Sequence, residues 1–328
     1  NNFRRKEASM RKALIFGMIG VFLVFGSHAW AQKTVRLSIA TGGTGAVFYP
    51  LGGGMAHIIS KYLPYAEATA EVTAASVDNC RLVGARKTEL ALTNIDAAMD
   101  AYRGVDVFKE KLPLRIVASI YQNFMHIVSV EGKGIVKLAD LKGKRVSLGA
   151  PGGATEVWGI RVLEAQGIDH KKDFRKERLG AGESAGALKD GKIDAYFFGG
   201  GIPVPSVMDL AATPGIKVKI IPHDEVIAKM TEKYGPVYAR GVIPAKTYPG
   251  QDEDVAVTIA RVLFICHEKM DEKVVYDILK TLFEHRQELM LVRKEAQYLT
   301  IDNQKGEFPL PFHPGAVRFL KEKGLEVK

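Results

Sequence analysis

Apolar residues along this chain change period repeatedly, and the changes mark out alternating elements. Alternating or unbroken apolar runs predict strands at residues 35–40, 68–73, 90–93, 115–121, 126–130, 145–148, 195–198 and 217–221. Between them Leu51, Met55, Ile58, Ile59 and Tyr62 recur at helical spacing, as do Val77, Cys80 and Val83 behind Ser76, a residue suited to an N-cap. Val157, Ile160 and Leu163 repeat the pattern behind Thr155. This alternation predicts an α/β protein with mainly parallel sheets and helices on both faces. From 252 to 292 the pattern predicts almost continuous helix.

The N-terminal pattern differs. Arg11 and Lys12 precede an uncharged run over 13–26, which ends in Ala29-Trp30-Ala31, a small-x-small cleavage pattern before Gln32. The run is shorter than the ~20 apolar residues of a membrane span. Residues 1–31 are therefore read as a signal peptide region and the rest as exported, without stable membrane insertion. Their removal takes away five basic residues (Arg4, Arg5, Lys6, Arg11, Lys12) and one acid (Glu7), lowering the net charge from +9 to +5. That balance favours an anionic ligand only weakly, and no arginine-rich tract or basic stripe marks a nucleic-acid surface. Cys80 and Cys266 are the only cysteines, and each lies in an apolar stretch, which predicts two buried free thiols over a disulfide.

The length beyond residue 31 exceeds one ordinary core and fits two domains. The segments 115–121 and 126–130 are joined at Gln122-Asn123-Phe124 with no glycine or proline, as expected of a strand carrying the chain between lobes. A return is expected at 237–247, with Gly241 and Pro244 as bend points. The division is then 32–124 and 245–328 for the first lobe, the latter part largely helical, and 125–244 for the second.

Two glycine loops carry the chemistry. Thr41-Gly42-Gly43-Thr44-Gly45 lies between a strand and a helix, and Gly149-Ala150-Pro151-Gly152-Gly153-Ala154-Thr155 repeats the arrangement. Unpaired amides at a helix start, approached over glycines that lack Cβ atoms, form an anion site.

With Phe48-Tyr49-Pro50-Leu51-Gly52-Gly53 and Ser76-Val77-Asp78-Asn79, the first loop resembles the TAXI family of TRAP-transporter solute-binding proteins. So do Leu141-Lys142-Gly143-Lys144, Pro151-Gly152 with Thr155-Glu156-Val157, and Asp194-Ala195 with Phe197-Phe198, Gly201 and Pro203. The resemblance runs in order over 34–250. It implies a type II periplasmic binding protein fold, with two lobes joined by hinge strands and closing on a small organic anion. It also implies a periplasmic location and delivery to a TRAP membrane permease driven by an ion gradient. The amino acid, keto acid and dicarboxylate classes, with glutamate and 2-oxoglutarate foremost, are what it implies for the ligand. The chain departs from the family at Asn94, where glutamine is common, and at Gly153-Ala154, where serine and glycine are.

A carboxylate buried between lobes needs several donors to replace its hydration. Amides around Thr44, Gly45, Gly153, Ala154 and Thr155 supply them, with the Thr44 and Thr155 hydroxyls. Ser76 and Asn79 stand three apart on one side of a helix start, and Asn94 closes a strand before Asp96 caps the next helix. Phe48, Tyr49 and Phe198 are the expected apolar walls, with Gly200 beside them; Arg81 and Trp158 lie one turn inside their helices. No cofactor is expected, and no spacing of His and Cys suggests a metal.

The enzymatic alternative is a secreted serine esterase. Gly182-Glu183-Ser184-Ala185-Gly186 matches the nucleophile-elbow pattern with Ser184 as nucleophile, and His285 formally completes a triad. The elbow needs a buried strand before it, but residues 174–178 are mostly charged. N-terminal sequencing of exported protein is expected to begin within a residue or two of Gln32; retention of residues 13–26 in a membrane fraction would contradict the signal peptide.

Overall fold

The computed structural model describes residues 34–327; the expected signal peptide and its cleavage site lie outside them. The first half builds β1 (Val35–Ala40), α1 (Phe48–Tyr62), β2 (Ala66–Glu71), α2 (Ser76–Gly84), β3 (Leu90–Asn94) and α3 (Ile95–Arg103) before one long strand, β4 (Leu114–Val130). Leu51, Met55, Ile58 and Ile59 are buried on one face of α1, as their spacing predicts. That helix carries Gly52, Gly53 and Gly54, each costing about 1 kcal/mol of helix propensity. At Gly54 the reason is contact: a Cβ there would lie 2.8 Å from Leu289 Cδ1 and 3.3 Å from Val292.

The chain then forms β5 (Arg145–Ser147), α4 (Ala154–Gln166), β6 (Arg175–Glu177), α5 (Ala181–Lys189), β7 (Ala195–Gly200), α6 (Pro205–Ala211), β8 (Val218–Ile220), α7 (Ile227–Tyr234) and β9 (Tyr238–Ile243). It returns through β10 (Val255–His267) to α8 (Glu272–Glu284), α9 (Arg286–Val292) and α10 (Pro314–Glu322).

The strand order is β2-β1-β3-β10-β4-β7-β5-β6, with β8 on β4 and β9 on β10. β1 pairs with β3 in parallel, and β5 pairs in parallel with both β6 and β7. The two halves are joined by antiparallel pairing. β10 lies against β4 from Ile259 opposite Phe124 to His267 opposite Leu114, with two irregularities of register. The rest of β4, from Phe124 to Val128, pairs with β7.

The stretch joined at Gln122-Asn123-Phe124 is thus one strand of 17 residues, read as two in the sequence because Gln122 interrupts the apolar run. Three expectations need correction, the first being Asp96, which lies inside α3 behind Asn94 and does not cap it. Residues 252–292 are not continuous helix: Val255–His267 is β10, buried almost throughout. A largely apolar run fits a buried strand and a buried helix equally, and the β-branched Val255, Val257, Thr258, Ile259, Val262 and Ile265 were the cue to strand. Ser76 is not an N-cap; Ala75 holds that place and Ser76 is the first helical residue. The stretch 237–247 holds β9, which pairs with Val255–Ala260 of β10. Cys80 and Cys266 are free and buried, as expected.

A largely buried charge cluster, with Asp106 at its exposed edge, ties α3 to α4. Arg161 of α4, 3% exposed, donates to Asp100 Oδ2 at 2.5 Å and Asp106 Oδ2 at 3.0 Å, both from the α3 side. It also donates to the Tyr238 hydroxyl at 3.2 Å, which in turn donates to Asp96 Oδ2 at 2.7 Å. Three carboxyls thus share one guanidinium. Burial pushes the Asp100 carboxyl up to about 7 against the pull of Arg161, and burial raises Asp96 in the same direction.

A carboxyl raised in the folded state binds its proton more tightly there than when unfolded. It therefore adds stability as the pH falls from about 7 towards the unfolded carboxyl range near 4, and that contribution is lost as the pH rises. In thermal melts the wild type is expected to gain on Asp100→Asn between pH 7.5 and 5. Parallel melting curves for the two proteins across that range would refute the assignment.

Candidate functional site

Five helices begin at one cavity. The residues preceding α1, α2, α3, α4 and α5 are Val47, Ala75, Asn94, Gly153 and Gly180, and all five line a cavity of about 450 Å³. None places a side-chain cap on its helix, whereas Asp271 and His313 cap α8 and α10. The first amides of a helix have no partner within it, so these starts offer donors and the positive ends of their dipoles to the cavity. Ala75 reaches its place with φ 73, which a residue with a Cβ adopts only where its surroundings compel it.

The second glycine loop is shaped by close approach. Gly149 has φ 95, and a Cβ there would lie 2.8 Å from the Thr155 side chain. The loop thus folds tightly against the start of α4, setting Gly153, Ala154 and Thr155 along the cavity. The first loop is more open: Gly43, Thr44 and Gly45 are exposed, and a Cβ on Gly45 would meet nothing within 4 Å.

Two hydroxyls occupy matching places in the halves. Ser76, at the start of α2, accepts the Asn94 amide from the end of β3 at 3.0 Å. Thr155, at the start of α4, accepts the Gly199 amide from the end of β7 at 3.2 Å. Because a strand amide takes an oxygen lone pair in each case, each hydroxyl keeps its own proton to donate.

Of the residues expected from the sequence, Thr44, Gly45, Phe48, Ser76, Asn94, Gly153, Ala154, Thr155, Phe198 and Gly200 come together around this cavity. Asn79 and Tyr49 do not. Asn79 is fully buried beneath the floor, its amide donating to Thr41 O and Leu92 O at 2.7 Å while its oxygen accepts from Thr73 Oγ1 at 2.6 Å. One turn into α2, it holds the ends of β1 and β3 together and so positions the first loop. Tyr49 follows Phe48 by one helical residue, about 100° round the axis, and only Phe48 reaches the lining. Arg81 donates to Val107 O at 2.9 Å, and Trp158 is buried with its Nε1 on Thr258 Oγ1 at 3.1 Å; neither lines the cavity.

Other lining residues escaped the sequence reading. Thr73 and Ala74 lead into Ala75, and Tyr121 and Asn123 project from β4. Asn123 donates from Nδ2 to Asn94 Oδ1 at 2.7 Å, while its own Oδ1 and the Tyr121 hydroxyl are buried without partners. A polar residue two places from a tyrosine in an apolar strand was the available signal. The start of α5, Gly180 to Glu183, also lines the cavity. Its signal was a glycine followed three residues later by glutamate, and Glu183 does accept the Gly180 amide at 2.9 Å. Among the described residues no lysine, arginine or histidine lines the cavity.

Ser184 does not behave as a nucleophile. It is 1% exposed inside α5 and its hydroxyl donates to Ser147 Oγ at 3.0 Å and Leu179 O at 3.2 Å. The strand before it, β6, is exposed and charged. His285 stacks on Tyr62 with ring centroids 3.4 Å apart, engaged with α1.

A family model described as NMT1-like family matches residues 39–324. Solved structures share the architecture. A putative L-cystine ABC transporter from Listeria monocytogenes is 16% identical, with 82% of this chain and 98% of that chain covered and a TM-score of 0.51. A protein from work on glutathione import through GshT and the cystine ABC importer TcyBC of Streptococcus mutans is 15% identical over 81% of this chain and 95% of its own, with TM-score 0.51. A structure described only as a periplasmic transporter is 15% identical, with 90% and 93% covered and a TM-score of 0.53. These likenesses establish the two-lobe periplasmic binding protein fold expected from the sequence. Replacing Ser184 by Ala is expected to cost about 1 kcal/mol of stability from its hydrogen bonds and to leave the protein as inert towards ester substrates as the wild type. Covalent labelling of Ser184 by a serine-directed reagent, with loss of a hydrolase activity, would restore the esterase reading.

Proposed function

The chain belongs to the NMT1-like family, and on that footing we propose that it is an extracytoplasmic solute-binding protein that captures a small organic anion and hands it to a membrane permease. One observation carries the proposal: five helix starts without side-chain caps converge on one cavity, with loops from both halves of the sheet around it. An anion there exchanges its hydration for many backbone donors and five favourable dipoles. Ser76 and Thr155 add hydroxyl donors from opposite halves, so a bound anion favours the closed arrangement over the open one. The ligand contacts we assign are Thr44, Gly45, Phe48, Ser76, Asn94, Gly153, Ala154, Thr155, Phe198 and Gly200.

The finer points of the proposal rest on the motif resemblance. Residues 32–124 with 245–328 form one lobe and 125–244 the other. The protein works in the periplasm, free of the membrane once residues 1–31 are removed, and its partner is a TRAP-type permease. Descriptions of the solved relatives name ABC importers, but at 15–16% identity those relatives speak to the fold alone. The ligand classes implied are amino acids, keto acids and dicarboxylates, glutamate and 2-oxoglutarate among them.

No catalytic step is assigned, and no cofactor or metal enters the proposal. Calorimetry against a panel of small carboxylates tests it. Thr155→Val and Ser76→Ala are each expected to weaken the tightest ligand by on the order of tenfold, since a hydrogen bond to a charged group is worth roughly 1.5–3 kcal/mol. Gly45→Val, whose side chain has room in the fold, is expected to block ligand entry. A tightest ligand without an anionic group, or unchanged affinity in all three variants, would sink the proposal.

A further inference from the structure

The helix starts account for one charge on the ligand and leave two polar groups in the same cavity unexplained. Tyr121 and Asn123 stand two apart on β4, on the same face of the strand, and both line the cavity. They are 1% and 2% exposed. The Tyr121 hydroxyl and Asn123 Oδ1 have no hydrogen-bond partner, which costs the protein free energy unless a ligand completes them. Asn123 is fixed by its Nδ2 bond to Asn94, so Oδ1 is left as an acceptor in want of a donor. Burial holds the Tyr121 hydroxyl well above its ordinary value, keeping it neutral and able both to donate and to accept.

We infer that the ligand is a monocarboxylate carrying an uncharged O–H or N–H donor group, a hydroxyl or a primary amide, which Tyr121 and Asn123 select against both dicarboxylates and amino acids. The inference rests on the anion-binding reading of the cavity and sets aside the amino acid and dicarboxylate classes that the motif resemblance implies. A second carboxylate is an acceptor only, so it would face Asn123 Oδ1 in repulsion, and no cationic side chain among the lining residues compensates it. An ammonium group needs a carboxylate instead. The one acid in the lining, Glu183, is exposed and held by the Gly180 amide. Glu295, behind Tyr121, is bound through both oxygens by Arg293 at 2.7 and 3.1 Å. Helix starts also disfavour a cation. A neutral donor satisfies Asn123 and leaves the tyrosine free to give or take a hydrogen bond.

The test uses chains of four, five and six carbons that share one carboxylate and differ at the far end: methyl, hydroxyl, primary amide, carboxylate or ammonium. At the best chain length the hydroxyl or amide member is expected to bind about tenfold tighter than the methyl, carboxylate and ammonium members. Tyr121→Phe is then expected to cut the advantage of that member over the methyl acid severalfold, read as the ratio of the two affinities so that any change common to both ligands cancels. The ligand-free variant is expected to melt no lower than the wild type, because it loses a hydroxyl that had no partner.

A dicarboxylate or amino acid that equals or exceeds the hydroxyl and amide members overturns the inference and leaves anion binding standing. So does an advantage that survives Tyr121→Phe intact. Failure of every carboxylate to bind overturns the anion-binding reading and this inference together.

Discussion

The antiparallel ladder between β4 and β10 is the constraint from which the rest of the molecule follows. Beyond this ladder β10 pairs with β3 and β9, while β4 pairs with β7 and β8. To do so each must run well beyond the usual five or six residues and stay apolar on both faces, which is why β4 and β10 are buried almost end to end. The crossing also fixes where the cavity lies, because Tyr121 and Asn123 of β4 form part of its wall. Arg161 then braces the arrangement, joining α3 to α4 through carboxyls that pair with no other cation among the described residues.

Much of this architecture was written in the chain. The amphipathic face of α1 and the strands flanking it followed from periodicity alone. β10 did not, since Val255–His267 is largely apolar, broken inside the strand only at Thr258 and Arg261, and carries no clear period to separate strand from helix. The β-branched residues there were a weaker cue than the helical pattern that follows from Glu272.

Cavity-lining residues were readable where a loop advertised itself by glycine and threonine. They were missed where the contribution came from a strand or an unremarkable helix start. Asn79 shows the opposite failure: its place one turn inside α2 fits a ligand contact and a structural clamp equally well. Only the carbonyls of Thr41 and Leu92, brought close by β1 and β3, decide for the clamp. Ser184 likewise matched a motif whose meaning depends on a buried strand that the sequence already lacked.

Because most of the donors at the cavity are main-chain amides, they are not encoded by side chains at all. Substitution at a helix start can crowd such a donor but cannot exchange it for another, so the preference for negative charge proposed for this cavity would be inherited with the fold itself. The side-chain wall contributed by Phe48, Tyr121, Asn123 and Phe198 is free to drift by single codon changes. Lineages descending from such a protein are therefore expected to diverge in what surrounds the charge far sooner than in the charge they accept.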